Sequence, residues 1–387
     1  MMRDQYPYFD QPRPIYLDSA ATGLMPRVTL TTLTDYYTNP ANVGRSNYPR
    51  AGEITAQFTA ARKIIAQFIN ASSDEIIFTH STTASINYIA RFLLPTISTR
   101  HRIAITDHEH NSNYLPWANL SHDTGAKLQL IYNDTATIHP NTKIFSYALA
   151  DNVAIRQHTF PNIVKQVHEL NGVVVVDAAQ AIAKQPIDVK RLACDALAFS
   201  GHKLGAPTGC GVLYIKRALQ QHLTPLFYGS ETFQAINTKQ HTFQLRADPS
   251  KFEPGTPHIA GILGLAATIN LINQIGWPKI TAHYAKLAHY ATEQIRAGGL
   301  ANHLLDQVGG AIALAHPKAS PHDIALLLAD RYRINVRSGL LCNQLYFDTH
   351  NLPAGAVRAS FGLYTTEEEI RNFITSYQRC LKELLCC

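Results

Sequence analysis

At 387 residues the chain exceeds one ordinary core, which predicts a large domain joined to a smaller one. The net charge of +6 is spread without a run of basic residues, which argues against a nucleic-acid arm, and the low charged fraction of 16% points to surface buried against a second copy. The six cysteines lack both metal-ligand spacing and a small-domain disulfide pattern, so reduced thiols and no metal site are expected.

The first ten residues, Met1 to Asp10, are polar and carry acids, unlike a signal or transit peptide, so a cytoplasmic location is expected. From about Ala51 to Ile215 short apolar runs alternate with helical patterns, as in a parallel sheet wrapped by helices. Ile54, Phe58, Ala61, Ile65 and Phe68 recur at helical spacing and predict a helix that faces the sheet. His80, Ser81, Thr82 and Thr83 precede another helical pattern (Ile86, Ile89, Ala90, Leu93); hydroxyls there can cap the helix, cradle a phosphate, or do both. Candidate strands follow at Ile103–Thr106, Leu128–Tyr132, Lys143–Ala148, Val173–Asp177, Ala196–Ser200 and Val212–Ile215. The apolar stretch Ile259 to Gly276 is broken by Asn270, Asn273 and Gln274, so it reads as a buried helix and no membrane span is expected. Thr256 and Pro257 suit a helix cap and first turn. Near the end, Thr365 and Thr366 before Glu367, Glu368 and Glu369 form a capping-box pattern that opens a helix through Ile370, Phe373, Ile374, Tyr377 and Leu381. The expected fold is α/β: a large domain over 20–272 with a mostly parallel central sheet, and a smaller α+β domain from 1–19 and 273–387.

Ligands of open parallel sheets sit at the carboxyl ends of the strands. Two strand ends here carry reactive side chains, Asp177 on one and, just past Phe199 and Ser200, Lys203 on another. A lysine amine can condense with an aldehyde, and an aspartate against a pyridine nitrogen keeps it protonated so that the ring withdraws electrons. Singly, such residues are usually a cap or a solvated charge; as a pair they point to pyridoxal phosphate (PLP).

The run from Ser200 through Lys203 to Tyr214 (SGHKLGAPTGCGVLY) resembles the cofactor-lysine segment of the class V aminotransferase family within fold type I PLP enzymes, and more narrowly of cysteine desulfurases and selenocysteine lyases. Similarity recurs at Tyr16–Ala21, Phe78–Asn87, Glu109–Trp117, Asp151–Val153, Phe252–Thr256 and Val336–Cys342. The resemblance implies a Schiff base on Lys203 and a ring-nitrogen contact from Asp177. It assigns phosphate contacts to Thr82, Thr83, Ser200 and His202, ring stacking and a possible proton shuttle to His110, and substrate or ring-hydroxyl contacts to Asn152 and Gln180. Thr256 would reach the phosphate of a neighbouring subunit, which implies a homodimer.

By the same resemblance Arg358, in Val-Arg-Ala-Ser-Phe, grips the carboxylate of a small amino-acid substrate, a task suited to a planar guanidinium. Cys342 falls on the catalytic thiol. The activity implied is conversion of L-cysteine to L-alanine with a persulfide left on Cys342, for passage to a sulfur-acceptor protein. The alternative is another class V reaction, such as selenocysteine or other β-lysis, transamination or epimerisation, that needs no thiol. This chain departs from many relatives in having Leu340 and Leu341 where histidines precede the cysteine, which leaves Arg337 as the nearest cation in sequence. Asn111 replaces a second histidine, a usual tyrosine is missing after Lys203, and Asp151 to Arg156 lacks a glycine turn.

Overall fold

The computed structural model describes residues 2–385, so Cys386 and Cys387 lie outside the described residues. Its centre is a seven-stranded sheet made of β1 (Ile76–Thr79), β2 (Arg102–Thr106), β3 (Lys127–Ile131), β4 (Thr142–Ala148), β5 (Val173–Asp177), β6 (Ala196–Ser200) and β7 (Gly211–Ile215). The spatial order is β1-β7-β6-β5-β4-β2-β3. Strand β7 runs antiparallel to both its neighbours, β1 and β6, and the remaining pairs are parallel. The six expected strands are present to within a residue at each end. The first, β1, escaped the sequence reading because its four residues are all buried and show no alternation.

The strands alternate their side chains between two apolar layers. Phe145, Val174, Val176, Leu197 and Phe199 share one core with helices α1 (Arg27–Thr38), α2 (Pro49–Phe68), α5 (Pro161–Glu169) and α6 (Ile259–Ile275). Ile103, Ile105, Ile144, Val175 and Ala198 face the other way, against α3 (Thr82–Leu93) and α4 (Asn111–Thr124). The five apolar positions that predicted α2 are all buried, which is what an apolar face at helical spacing requires.

Helix α6 is largely buried, and among the described residues no single helix is long and apolar enough to cross a membrane; the chain then bends by 81° at Gly276 into α7 (Trp277–Ala297). Thr256 and Pro257 do not open α6 as expected. Its N-cap is His258, without a side-chain bond, and the Thr256 hydroxyl instead accepts from Arg45 Nη1 at 3.5 Å.

A second, antiparallel sheet holds β8 (Ala311–Leu314), β9 (Arg337–Gly339) and β10 (Ala356–Ser360) in the order β8-β10-β9, with Arg337 directly opposite Arg358. Ile15–Tyr16 pairs in parallel with Ile334–Asn335, tying the start of the chain to this later part. Helices α8 (Pro321–Tyr332), α9 (Gln344–Thr349) and α10 (Glu367–Leu385) complete it. The capping box that predicted α10 is formed in full: Thr366 N donates to Glu369 Oε2 at 2.9 Å, and Glu369 N donates to Thr366 Oγ1 at 3.2 Å.

Candidate active site

Because β4, β5 and β6 run parallel, their carboxyl ends emerge on one edge, with Ala148 level with Asp177 and Asp177 level with Ala198. A cavity of about 200 Å³ opens there. Ser81, Thr82, Thr83, His110, Asn152, Asp177, Gln180, Ser200, His202 and Lys203 all line it. These ten residues thus converge from elements spread over residues 81–203.

Asp177 is 4% exposed. Burial pushes its carboxyl up to about 7, with Glu109 adding to the push, while the bond from Ala179 N at 2.8 Å opposes it. A buried carboxylate without a cation salt bridge is held ready for a positively charged ligand atom. Lys203 Nζ donates to the carbonyls of Ala20 and Ala21, and Gln180 Nε2 also donates to Ala20 O, at 3.0 Å. Burial, then the nearby Arg358, lower the Lys203 amine to about 8. A lysine so depressed has a neutral, nucleophilic fraction near neutral pH.

At the other side of the cavity Ser81 caps α3 by accepting from Ala84 N at 3.1 Å, so the capping reading of this segment holds. The Ser200 hydroxyl meets Thr82 N at 2.7 Å and Thr82 Oγ1 at 2.8 Å, and Thr83 Oγ1 donates to Ser112 Oγ at 2.8 Å. His202 Nδ1 meets Thr22 Oγ1 at 3.2 Å. Hydroxyls gathered at a helix start suit a phosphate. His110 is the N-cap of α4, its Nδ1 accepting from Ser112 N at 3.0 Å. Burial, with help from Lys203 and Arg358, drops its imidazole to about 4, so the ring is neutral and carries its proton on Nε2.

The donor set fits PLP. An uncompensated buried carboxylate suits a pyridinium, a depressed amine suits an aldehyde, hydroxyls at a helix start suit a phosphate, and a neutral imidazole suits a ring face.

Beyond Asn152 the cavity meets the second sheet. Arg358 is 2% exposed; its Nη1 donates to Asn152 O at 2.6 Å and its Nη2 to Asp18 Oδ1 at 3.3 Å. The buried Arg358 Nε has no partner among the described residues. Sequence reasoning quoted the segment holding Asp18 without giving that residue a task; its isolated acid before a Ser-Ala-Ala run was the available signal.

Cys342 is exposed, and Arg337 Nη2 lies 3.3 Å from its Sγ. Leu341 and Cys342 both adopt left-handed backbone, with φ of 52° and 58°, each costing about 1–2 kcal/mol for a residue with a Cβ. The loop is tied to the cavity rim: Asn111 N donates to Cys342 O at 2.8 Å, and Asn152 Nδ2 donates to Leu341 O at 2.7 Å. Asn152 was expected to face substrate or cofactor; within this chain its carboxamide holds the thiol loop as well as lining the cavity. Cys194, Cys210 and Cys380 are buried free thiols, in keeping with packing roles.

Arg337, Cys342 and Arg358 lie beside the cavity rather than in its lining, whereas Thr256 stands apart from it. It is exposed and borders a separate cavity with His80, Tyr88, Phe227 and His258.

Comparison with known proteins agrees with this geometry. Residues 15–373 match the class-V aminotransferase family. A probable cysteine desulfurase of Streptomyces coelicolor is 36% identical over 379 residues, spanning 92% of this chain and 89% of that protein. The apo structure of a cysteine desulfurase from Thermococcus onnurineus is similar with a TM-score of 0.90 at 32% identity, covering 99% of this chain and 98% of the other. The cysteine desulfurase CsdA of Escherichia coli gives a TM-score of 0.88 at 30% identity, with coverage of 99% and 98%.

Proposed function

The chain belongs to the class-V aminotransferase family, and on that premise we propose that it is a PLP-dependent cysteine desulfurase that converts L-cysteine to L-alanine and leaves a persulfide on Cys342. The observation that carries the reading is the exposed Cys342 thiol, fixed against Arg337 on a loop anchored to the rim of the Lys203 cavity.

When bound, PLP supplies an electron sink that weakens the bonds around the substrate's α- and β-carbons. Lys203 Nζ would hold it covalently, Asp177 would pair with its ring nitrogen, and Thr82, Thr83, Ser200 and His202 would take its phosphate. His110, neutral and buried, offers its ring face and one N–H. Arg358 takes the substrate carboxylate; its buried, unpartnered Nε is a donor free for an acidic group. Once its amine is released, Lys203 accepts the α-proton, because its lowered basicity leaves part of it unprotonated near neutrality.

The Cys342 thiolate attacks the substrate sulfur. A sulfur–sulfur bond forms, the substrate carbon–sulfur bond breaks, and its electron pair stays on the carbon, where one proton completes the methyl group of alanine. The proton lost by Cys342 balances the one gained by alanine, so no external oxidant or reductant enters this step. Arg337 Nη2, 3.3 Å from Sγ, holds the sulfur in place on the loop. Exposure of Cys342 suits delivery of the sulfur to an acceptor protein or a small thiol. A homodimer is part of the proposal, with Thr256 serving the partner's phosphate; its exposure outside its own chain's cavity supports that reading.

The test is product analysis with L-cysteine, measuring alanine and sulfide with and without reductant, for the wild type and Cys342→Ala. The wild type should make both and accumulate a persulfide on Cys342 seen by mass spectrometry, and Cys342→Ala should make neither from cysteine. Undiminished alanine formation by Cys342→Ala would assign the chain to class V chemistry that needs no protein thiol.

A further inference from the structure

Three consecutive carbonyls of the thiol loop each have a dedicated donor. Leu340 O accepts from Asn343 N at 2.8 Å, Leu341 O from Asn152 Nδ2 at 2.7 Å, and Cys342 O from Asn111 N at 2.8 Å. Two of the three trace to Asn343, which is fully buried: it is itself the donor to Leu340 O, and it bonds the Asn152 side chain that donates to Leu341 O. Its Nδ2 donates both to Asn152 Oδ1 at 2.8 Å and to His108 O at 3.0 Å, and its Oδ1 accepts from Tyr346 N at 3.2 Å as the N-cap of α9.

A carboxamide flips unless its oxygen and nitrogen are told apart by their partners. By donating to Asn152 Oδ1, Asn343 turns the Asn152 amide nitrogen toward Leu341 O. That bond in turn holds two adjacent residues with Cβ atoms in left-handed backbone, a conformation they leave readily when untied. From this geometry we infer that Asn343 is a positioning residue for sulfur transfer: its amide nitrogen orients Asn152 and thereby keeps the Leu341–Cys342 turn closed with Sγ beside Arg337. It touches neither substrate nor cofactor, and it acts through Asn152 and the loop. The inference rests on the desulfurase reading for its consequence and on the hydrogen bonds alone for its geometry.

The experiment separates the amide nitrogen of Asn343 from its capping oxygen. Asn343→Asp keeps an oxygen for Tyr346 N and loses the donor; Asn343→Ser does the same without a buried charge and carries the test if the carboxylate prevents folding. In either folded, cofactor-loaded variant, kcat for alanine release from L-cysteine should fall about tenfold or more, the scale of one lost buried hydrogen bond. KM should stay within about twofold, because Arg358 is untouched. Hydrogen exchange at the amides of Leu341 to Gln344 should accelerate in the same variants, in apoprotein as well as holoenzyme, while α3 and α4 keep wild-type protection. Wild-type kcat and wild-type exchange in Asn343→Ser would overturn the inference. If alanine formation proves independent of Cys342, the desulfurase reading fails, and the exchange measurement still decides whether Asn343 holds the loop.

Discussion

The cofactor end of the cavity and the thiol loop are both built from buried polar groups, yet they are held in place by different means. Asp177 and Ser200 are the last residues of β5 and β6, and the register of those paired strands places them whatever their side chains do. Leu341 and Cys342 sit in left-handed backbone between β9 and α9, and side-chain amides and single backbone donors from distant segments keep them there. In the first region a substitution changes chemistry and leaves the scaffold standing. In the second, a substitution at a residue with no chemical task moves the reactive atom.

That contrast is tested most severely at Lys203. Lys203→Ala should remove covalent capture of PLP and all turnover while leaving the sheet edge intact, seen as loss of the visible absorbance of lysine-bound cofactor with an unchanged far-ultraviolet spectrum. Because the amine must be unprotonated to add to the aldehyde and burial lowers it to about 8, capture by wild-type apoprotein should level off above about that pH. Below it the rate should fall about tenfold per unit as the ammonium form takes over. A rate still climbing at the ordinary lysine range would contradict the buried, depressed amine.

Asp177→Asn comes next. It should retain much of the bound cofactor, since the phosphate and lysine contacts remain, and lose about a hundredfold or more in kcat, on the scale of removing a proton-holding partner. Turnover within a few-fold of wild type would remove Asp177 from its assigned place.

The smallest expected effect lies at Gly355, on the thiol-loop side. A Cβ there would meet Gly339 C and O at 2.2 Å and Leu340 N at 2.7 Å, and its φ of 76° already favours glycine. Gly355→Ala should lower stability by about 1–3 kcal/mol, the usual penalty of overpacking, read from a denaturant midpoint. It should also reduce sulfur transfer without altering cofactor absorbance. Reduced cofactor binding in this variant would mean that the two regions are not separable as described.

Much of the cofactor end was legible in advance because it follows local rules. Apolar runs of strand length ending in Asp177 and in Ser200-Gly201-His202-Lys203 mark strand ends, and parallel strands bring such ends to one edge. The helical spacing from Ile54 to Phe68 and the Thr366–Glu369 cap are likewise patterns between near neighbours in sequence. Strand β1 was missed since four uniformly buried residues carry no period, and the Thr256 cap was misjudged since Arg45, far away in sequence, engages that hydroxyl.

The sequence by itself therefore determined the α/β architecture and the Lys203 and Asp177 pair, because each depends on periodicity or on strand ends, and the resemblance of their segments to the family made Arg358 and Cys342 candidates. Only the tertiary structure decided that the Arg337 guanidinium reaches the thiol, that Asp18 pairs with Arg358, and that Asn152 and Asn343 hold the loop. The Asn343–Asn152 and Arg358–Asp18 contacts join residues 191 and 340 positions apart in the chain. An asparagine amide or a guanidinium carries no sequence mark of which carbonyl or sulfur it will meet, since its partner is chosen by how segments distant in the chain pack together.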